Sequence, residues 1–125
     1  EAHSGVISVV LFGIGMVVGV LYSASYDGMI KLWSVKNHDC VAELTYHTAK
    51  VTALTQSPDG RYLISASADG SVLVYDASES YSVISRFYCN DEPVSLTILN
   101  GYIVCGYSSG TVRLWLLPSI SMQKF

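Results

Sequence analysis

Serine, histidine and aspartate recur together in this chain, at His3, Ser25 and Asp27 and again at His47, Ser67 and Asp69. One such set could hydrolyse an ester or amide. The hydroxyl would attack, the imidazole would take its proton, and the carboxylate would hold the imidazole in place. The second set argues against that chemistry. His and Ser are 22 residues apart in the first set and 20 in the second, and Asp follows Ser by two in both. A hydrolase has no use for two such sets in so short a chain. A structural role explains the duplication: if each repeat ties an incoming loop to a turn through buried polar groups, those groups must be paired. The plainer alternative makes Asp27 and Asp69 turn residues only, with the histidines exposed.

No other reactive constellation stands out. The three His and three Cys lack metal-ligand spacing. Cys40, Cys89 and Cys105 form no CxxC pair and read as small apolar residues in a reducing compartment. "GIGMVVG" at 13–19 is not the glycine-rich phosphate loop of a dinucleotide site. No catalytic residue, metal or cofactor is expected.

The elements that carry these residues repeat. "SASYDGMIKLW" (23–33) returns as "SASADGSVLVY" (65–75) and as "CGYSSGTVRLW" (105–115), offsets of 42 and 40 residues. Each copy is a short apolar strand, a turn at Asp27-Gly28, Asp69-Gly70 or Ser109-Gly110, and a second strand with an aromatic end. Asp-Gly between β-rich runs signals a hairpin whose two turn residues both need positive φ. Upstream lie "HSGVISVVLF" from His3, "HTAKVTALTQ" from His47 and "NDEPVSLTIL" from Asn90. Downstream come "CVAEL" at 40–44, "SVISRF" at 82–87 and "ISMQKF" at 120–125. Four short antiparallel strands per repeat describe the blades of an all-β propeller. Asp91-Glu92 reads as a solvated acidic pair.

Composition sets the outer bounds. Of 125 residues, 50% are hydrophobic and 14% charged, too apolar for a disordered chain. The net charge is −3 and the seven Lys and Arg are scattered, so nucleic acid is not an expected partner. Residues 4–26 carry no charge and contain Gly15-x-x-x-Gly19, which a hydropathy window would take for a membrane helix. The stretch is Val- and Ile-rich, broken by Gly13, Gly15 and Gly19, and has no basic flanks. Strand, turn, strand is the better account, and no membrane insertion is expected. The chain opens at Glu1 without Met, which fits a segment of a longer protein.

The repeated wording, a His after a loop, then Ser-x-Asp-Gly and a strand ending in Trp-Asp, resembles the WD40-repeat family. The resemblance spans the chain as three four-stranded antiparallel blades at about 3–45, 46–88 and 89–125, a partial propeller. It implies hydrogen-bonded networks at His3–Ser25–Asp27–Trp33 and at His47–Ser67–Asp69, with Tyr75 in the Trp place. The third copy keeps Trp115 but has Asn90, Tyr107 and Ser109 at the His, Ser and Asp places, so it should be the least rigid. The resemblance also implies a non-catalytic scaffold that binds other proteins or peptides within a multiprotein complex. The binding face would carry Val6 and Ser8, Lys50 and Thr52, and Pro93 and Ser95. Tyr26, Ala68 and Ser108 precede the three turns on that face. Tyr26 and Lys50 are the sharpest anchors, unless these residues merely suit their loops. The alternative is a substrate-recognition or regulatory domain of a larger enzyme, such as a ubiquitin ligase. Propellers close with about four to eight blades, so further blades are expected from the rest of the chain or another chain. An intracellular setting, cytoplasmic or nuclear, is expected.

Overall fold

The computed structural model describes residues 3–117, which form eleven strands in three antiparallel sheets. The first sheet holds β1 (Ile7–Phe12), β2 (Val20–Ser25), β3 (Ile30–Ser34) and β4 (Asp39–Leu44). The second holds β5 (Val51–Gln56), β6 (Tyr62–Ser67), β7 (Ser71–Asp76) and β8 (Ser82–Tyr88). The third holds β9 (Pro93–Leu99), β10 (Tyr102–Tyr107) and β11 (Val112–Leu116). The expected fourth strand of the third sheet, at 120–125, lies outside the described residues. Each strand pairs with its sequence neighbours, and β1 packs against β5 as β5 packs against β9. The sheets therefore fan out from their first strands as a partial β-propeller.

Two apolar layers separate the sheets. Tyr22, Ala24, Ile30 and Leu32 of the first meet Val51, Leu63, Leu73 and Tyr75 of the second. Ile64, Ala66, Val72 and Val74 on the other side of the second meet Ile103, Cys105 and Tyr107 of the third. Every residue of β6 and β7 is consequently buried. Fully burying a Val, Leu or Ile side chain stabilises the fold by roughly 1.5–3 kcal/mol, so the middle sheet binds the other two together.

The repeated turns differ from the expected geometry. Gly28, Gly70 and Gly110 have φ of 86, 89 and 94°, but Asp27, Asp69 and Ser109 are not left-handed. Gly70 N–H donates to the Ser67 carbonyl at 3.0 Å, closing a four-residue turn with one left-handed glycine. Asn100-Gly101, with φ of 50 and 81°, joins β9 to β10 as a two-residue turn in which both residues are left-handed.

The charge-free segment is strand, loop, strand. Its loop lies against the turn between β5 and β6: Met16 N–H donates to the Asp59 carbonyl at 2.9 Å. The Gln56 amide reaches back, accepting from Ile14 N–H at 3.1 Å and donating to the Phe12 carbonyl at 2.5 Å. Among the described residues no helix is long and apolar enough to cross a membrane.

Candidate functional site

In the first sheet, His3 is buried and bridges two groups. Its Nδ1 lies 3.1 Å from Asp27 Oδ2 and its Nε2 lies 2.8 Å from Ser23 Oγ. Trp33 Nε1–H donates to the same Ser23 Oγ at 2.9 Å. Indole is only a donor, so the Ser23 proton is free for Nε2, and Nδ1–H donates to the carboxylate. Asp27 also accepts from the N–H groups of Ser4 and Met29. The second sheet repeats the pattern: His47 Nδ1 lies 3.1 Å from Asp69 Oδ2, and Nε2 lies 2.6 Å from Ser65 Oγ. The Tyr75 hydroxyl lies 3.0 Å from Ser65 Oγ, in the place of the indole. Asp69 accepts from the N–H groups of Thr48 and Ser71 and from the Ser71 hydroxyl.

The serine of each network is therefore Ser23 or Ser65, a correction to Ser25 and Ser67. Residues two apart on a strand share a face, so "SAS" offers two candidates, and the imidazole reaches past the nearer one. Ser25 and Ser67 cap the turns instead, each Oγ accepting from the Asp27 or Asp69 N–H at 3.1 Å. The networks have the connectivity of a hydrolase triad, but Ser23 and Ser65 are buried and already bonded to Trp33 or Tyr75. A substrate carbonyl has no approach to either oxygen. The networks fasten loop to turn.

The third sheet is fastened differently. Cys89, not Asn90, takes the histidine place: its carbonyl sits at Gly70 as the His47 carbonyl sits at Gly28. The linking loop 89–92 has four residues where 45–50 has six, which moves the frame. Cys105 occupies the serine place and is buried. Asp91 is not simply solvated; its carboxylate accepts from the hydroxyls of Ser108, at 3.0 Å, and Ser109. Here the carboxylate sits on the loop and the hydroxyls on the turn, the reverse of the other two. Trp115 stacks on Phe87, with centroids 4.5 Å apart. The Tyr107 hydroxyl is buried without a hydrogen-bond partner among the described residues.

These networks make stability depend on pH. Burial pushes the His47 imidazole below its ordinary pKa, against the pull of Asp69. Burial would raise the Asp69 carboxyl, but hydrogen bonds from Ser71 and Thr48 and the nearby His47 hold it below the usual range. Both groups bind protons more readily in the unfolded chain. The His47 contribution is present above about pH 6.5 and declines as the pH falls below it. The Asp69 contribution is lost only as the pH falls below about 4. Urea unfolding from pH 8 to 3 should show declining stability in two stages, and a flat profile down to pH 5 would contradict the first.

Of the proposed binding residues, the structure gathers Val6, Ser8, Tyr26, Lys50 and Thr52 around one cleft of about 390 Å³, with Ile7, Glu92 and Val94. Lys50 Nζ lies 5.0 Å from the centre of the Tyr26 ring and 3.8 Å from Glu92 Oε2. Tyr26 is 50% exposed. Ser8 and Thr52 occupy β-bulges and are spent internally. Their hydroxyls donate to the carbonyls of Val51, at 2.6 Å, and Pro93, at 2.5 Å, each stitching one sheet to the next.

Pro93 and Ser95 do not line the cleft. Pro93 is fully buried, and the third bulge falls at Val94, one residue before Ser95. The residues equivalent to Lys50 and Thr52 are Glu92 and Val94, displaced by the same short loop. Ala68 lines a neighbouring hollow with Asp69, Asn90 and Asp91, and Ser108 is exposed beside Asp91. Glu92, read from sequence only as half of a solvated acidic pair, lines the cleft beside Lys50; its signal is an acidic residue directly before the buried proline.

The family model described as "WD domain, G-beta repeat" matches residues 1–34 and 38–76. Among curated proteins the chain is similar to small ribosomal subunit protein RACK1y of Oryza sativa subsp. japonica. The two are 29% identical over 123 residues, covering 95% of this chain and 35% of that protein. It is also similar to small ribosomal subunit protein RACK1 of Neurospora crassa, 28% identical over 113 residues, covering 90% of this chain and 35% of that one. Nuclear distribution protein PAC1 of Arthroderma otae is 43% identical over 61 residues, 49% of this chain and 13% of that protein. The chain spans about a third of the length of the RACK1 relatives. Among solved structures, the computationally designed Ika4 protein superposes with a TM-score of 0.81 at 23% identity, covering 94% of this chain and 70% of that one.

Proposed function

The chain belongs to the WD40-repeat family, and from that premise we propose that it is a non-catalytic scaffold whose Tyr26–Lys50–Glu92 cleft binds other proteins or peptides within a multiprotein complex. The observation that carries this reading is the half-exposed Tyr26, flanked by Lys50 and set where the entry loops of all three sheets converge. A rigid aromatic beside a charge pair is the composition of an interface anchor. The buried networks behind it keep loop and turn fixed, so little ordering cost would fall on binding. Relatives named as a ribosomal subunit protein and a nuclear distribution protein fit work inside assemblies. The cysteines, all unpaired, fit an intracellular, reducing setting.

Affinity capture with wild type and with the Tyr26→Ala/Lys50→Glu double variant tests the cleft. The variant should lose partners held by the wild type, with dissociation constants at least about tenfold weaker, and keep the same melting temperature. An unchanged set of partners at unchanged affinity would sink the proposal.

A further inference from the structure

Three equivalent backbone bonds fix the frame of the cleft. The carbonyls of Val6, Lys50 and Glu92 accept from the N–H groups of Tyr26, Ala68 and Ser108 at 2.8, 2.9 and 2.9 Å, one for each sheet. Glu92 N–H also donates to Asp91 Oδ1 at 2.9 Å. Between the pinned Tyr26 and Glu92 sits the Lys50 ammonium, 5.0 Å from the ring centre and 3.8 Å from Glu92 Oε2. The chain itself shows what this place accepts: a cation, with an aromatic face on one side and a carboxylate on the other.

That cation is loosely held. A separation of 3.8 Å is too long for a hydrogen bond. Both side chains are more than a third exposed, where an ion pair contributes little. An ammonium is a strongly hydrated point charge, whereas a guanidinium is planar, stacks on a ring and meets a carboxylate through two parallel N–H bonds. An arginine brought by a partner would make in full the two contacts that Lys50 makes in part. The surroundings suit it. Among the described residues Lys50 is the one cation lining the cleft, and the hollow beyond Glu92 adds Asp69 and Asp91 with no cation at all. Val6, Ile7 and Val94 are exposed around the cleft and offer contacts to apolar neighbours of the arginine.

We infer that Lys50 is a place-holder, and that the cleft takes an arginine side chain flanked by apolar residues of a partner peptide, its guanidinium displacing the Lys50 ammonium between Tyr26 and Glu92. Resting on the cleft as the binding site, this assignment adds the chemistry of what binds there.

Fluorescence anisotropy with a labelled Gly-Val-Arg-Val-Gly peptide tests it, beside the same peptide with citrulline or glutamate in place of arginine. The arginine peptide should bind at least about fivefold tighter than the citrulline peptide, which keeps the shape and loses the charge. The glutamate peptide should bind weakest. Lys50→Met keeps the stem and removes the ammonium, so arginine binding should strengthen about two- to fivefold. Glu92→Gln should weaken it at least about fivefold; if that variant misfolds by circular dichroism, Lys50→Met decides alone. Weaker arginine binding by Lys50→Met, or equal affinity for arginine and citrulline, overturns the inference. A preference for the glutamate peptide that disappears in Tyr26→Ala/Lys50→Glu overturns it and leaves the cleft standing. Failure of Lys50→Met to bind the arginine peptide at all overturns it too, and partner capture then judges the cleft by itself.

Discussion

Gly60→Ala is expected to cost this fold about 3 kcal/mol or more. Two effects combine. Gly60 has φ of 77°, where an L side chain carries a penalty of roughly 1–2 kcal/mol. A Cβ there would also stand 1.9 Å from the Ile14 carbonyl oxygen. That oxygen belongs to backbone held on the other sheet, so relief means parting the 13–19 loop from the β5–β6 turn. Gly101→Ala separates the two effects: its φ is 81°, but a Cβ would meet nothing within 4 Å. Urea unfolding of the two variants should differ by at least about 1.5 kcal/mol, the share due to overpacking. Equal losses would mean that the loop yields and does not clamp.

The second large effect is expected from Asp69→Ala. It leaves the His47 ring, two backbone N–H groups and the Ser71 hydroxyl without their shared acceptor. A buried donor left unsatisfied costs about 1–3 kcal/mol, and the first sheet's Asp27→Ala should behave alike. Ser109→Ala, at the same turn of the third sheet, removes only exposed hydroxyl contacts and should stay within about 0.5 kcal/mol. Chemical denaturation of the three variants checks the order. An Asp69→Ala protein as stable as Ser109→Ala would reduce the aspartate to a plain turn residue.

The repeats made the sheets legible before any coordinates, because offsets of 42 and 40 residues carry strand, turn and aromatic together. The His and Asp of each network were legible for the same reason. The serine was not: period-two alternation puts both serines of "SAS" on one face, and only the depth of the imidazole chooses between them. The third repeat misled the reading because its short entry loop shifts the frame. Asn90 looked like the counterpart of a histidine when Cys89 holds that place. Asp91 hid in plain view, since an acidic pair in a loop gives no sign that it reverses the polarity of the turn's fastening.

Gln56 carries a consequence of its own. A side-chain amide is chemically a peptide unit, one carbonyl and one N–H₂ on a common plane, and here it answers a carbonyl and an N–H of the neighbouring sheet. The first loop therefore meets what amounts to one extra residue of β-ladder, supplied sideways by a different sheet. Glutamate would keep the length and lose the match, setting a carboxylate against the Phe12 oxygen. Asparagine would keep the match and fall short by one methylene. At this seam the chain has a choice of one residue type, fixed by reach and by the pairing of donor with acceptor.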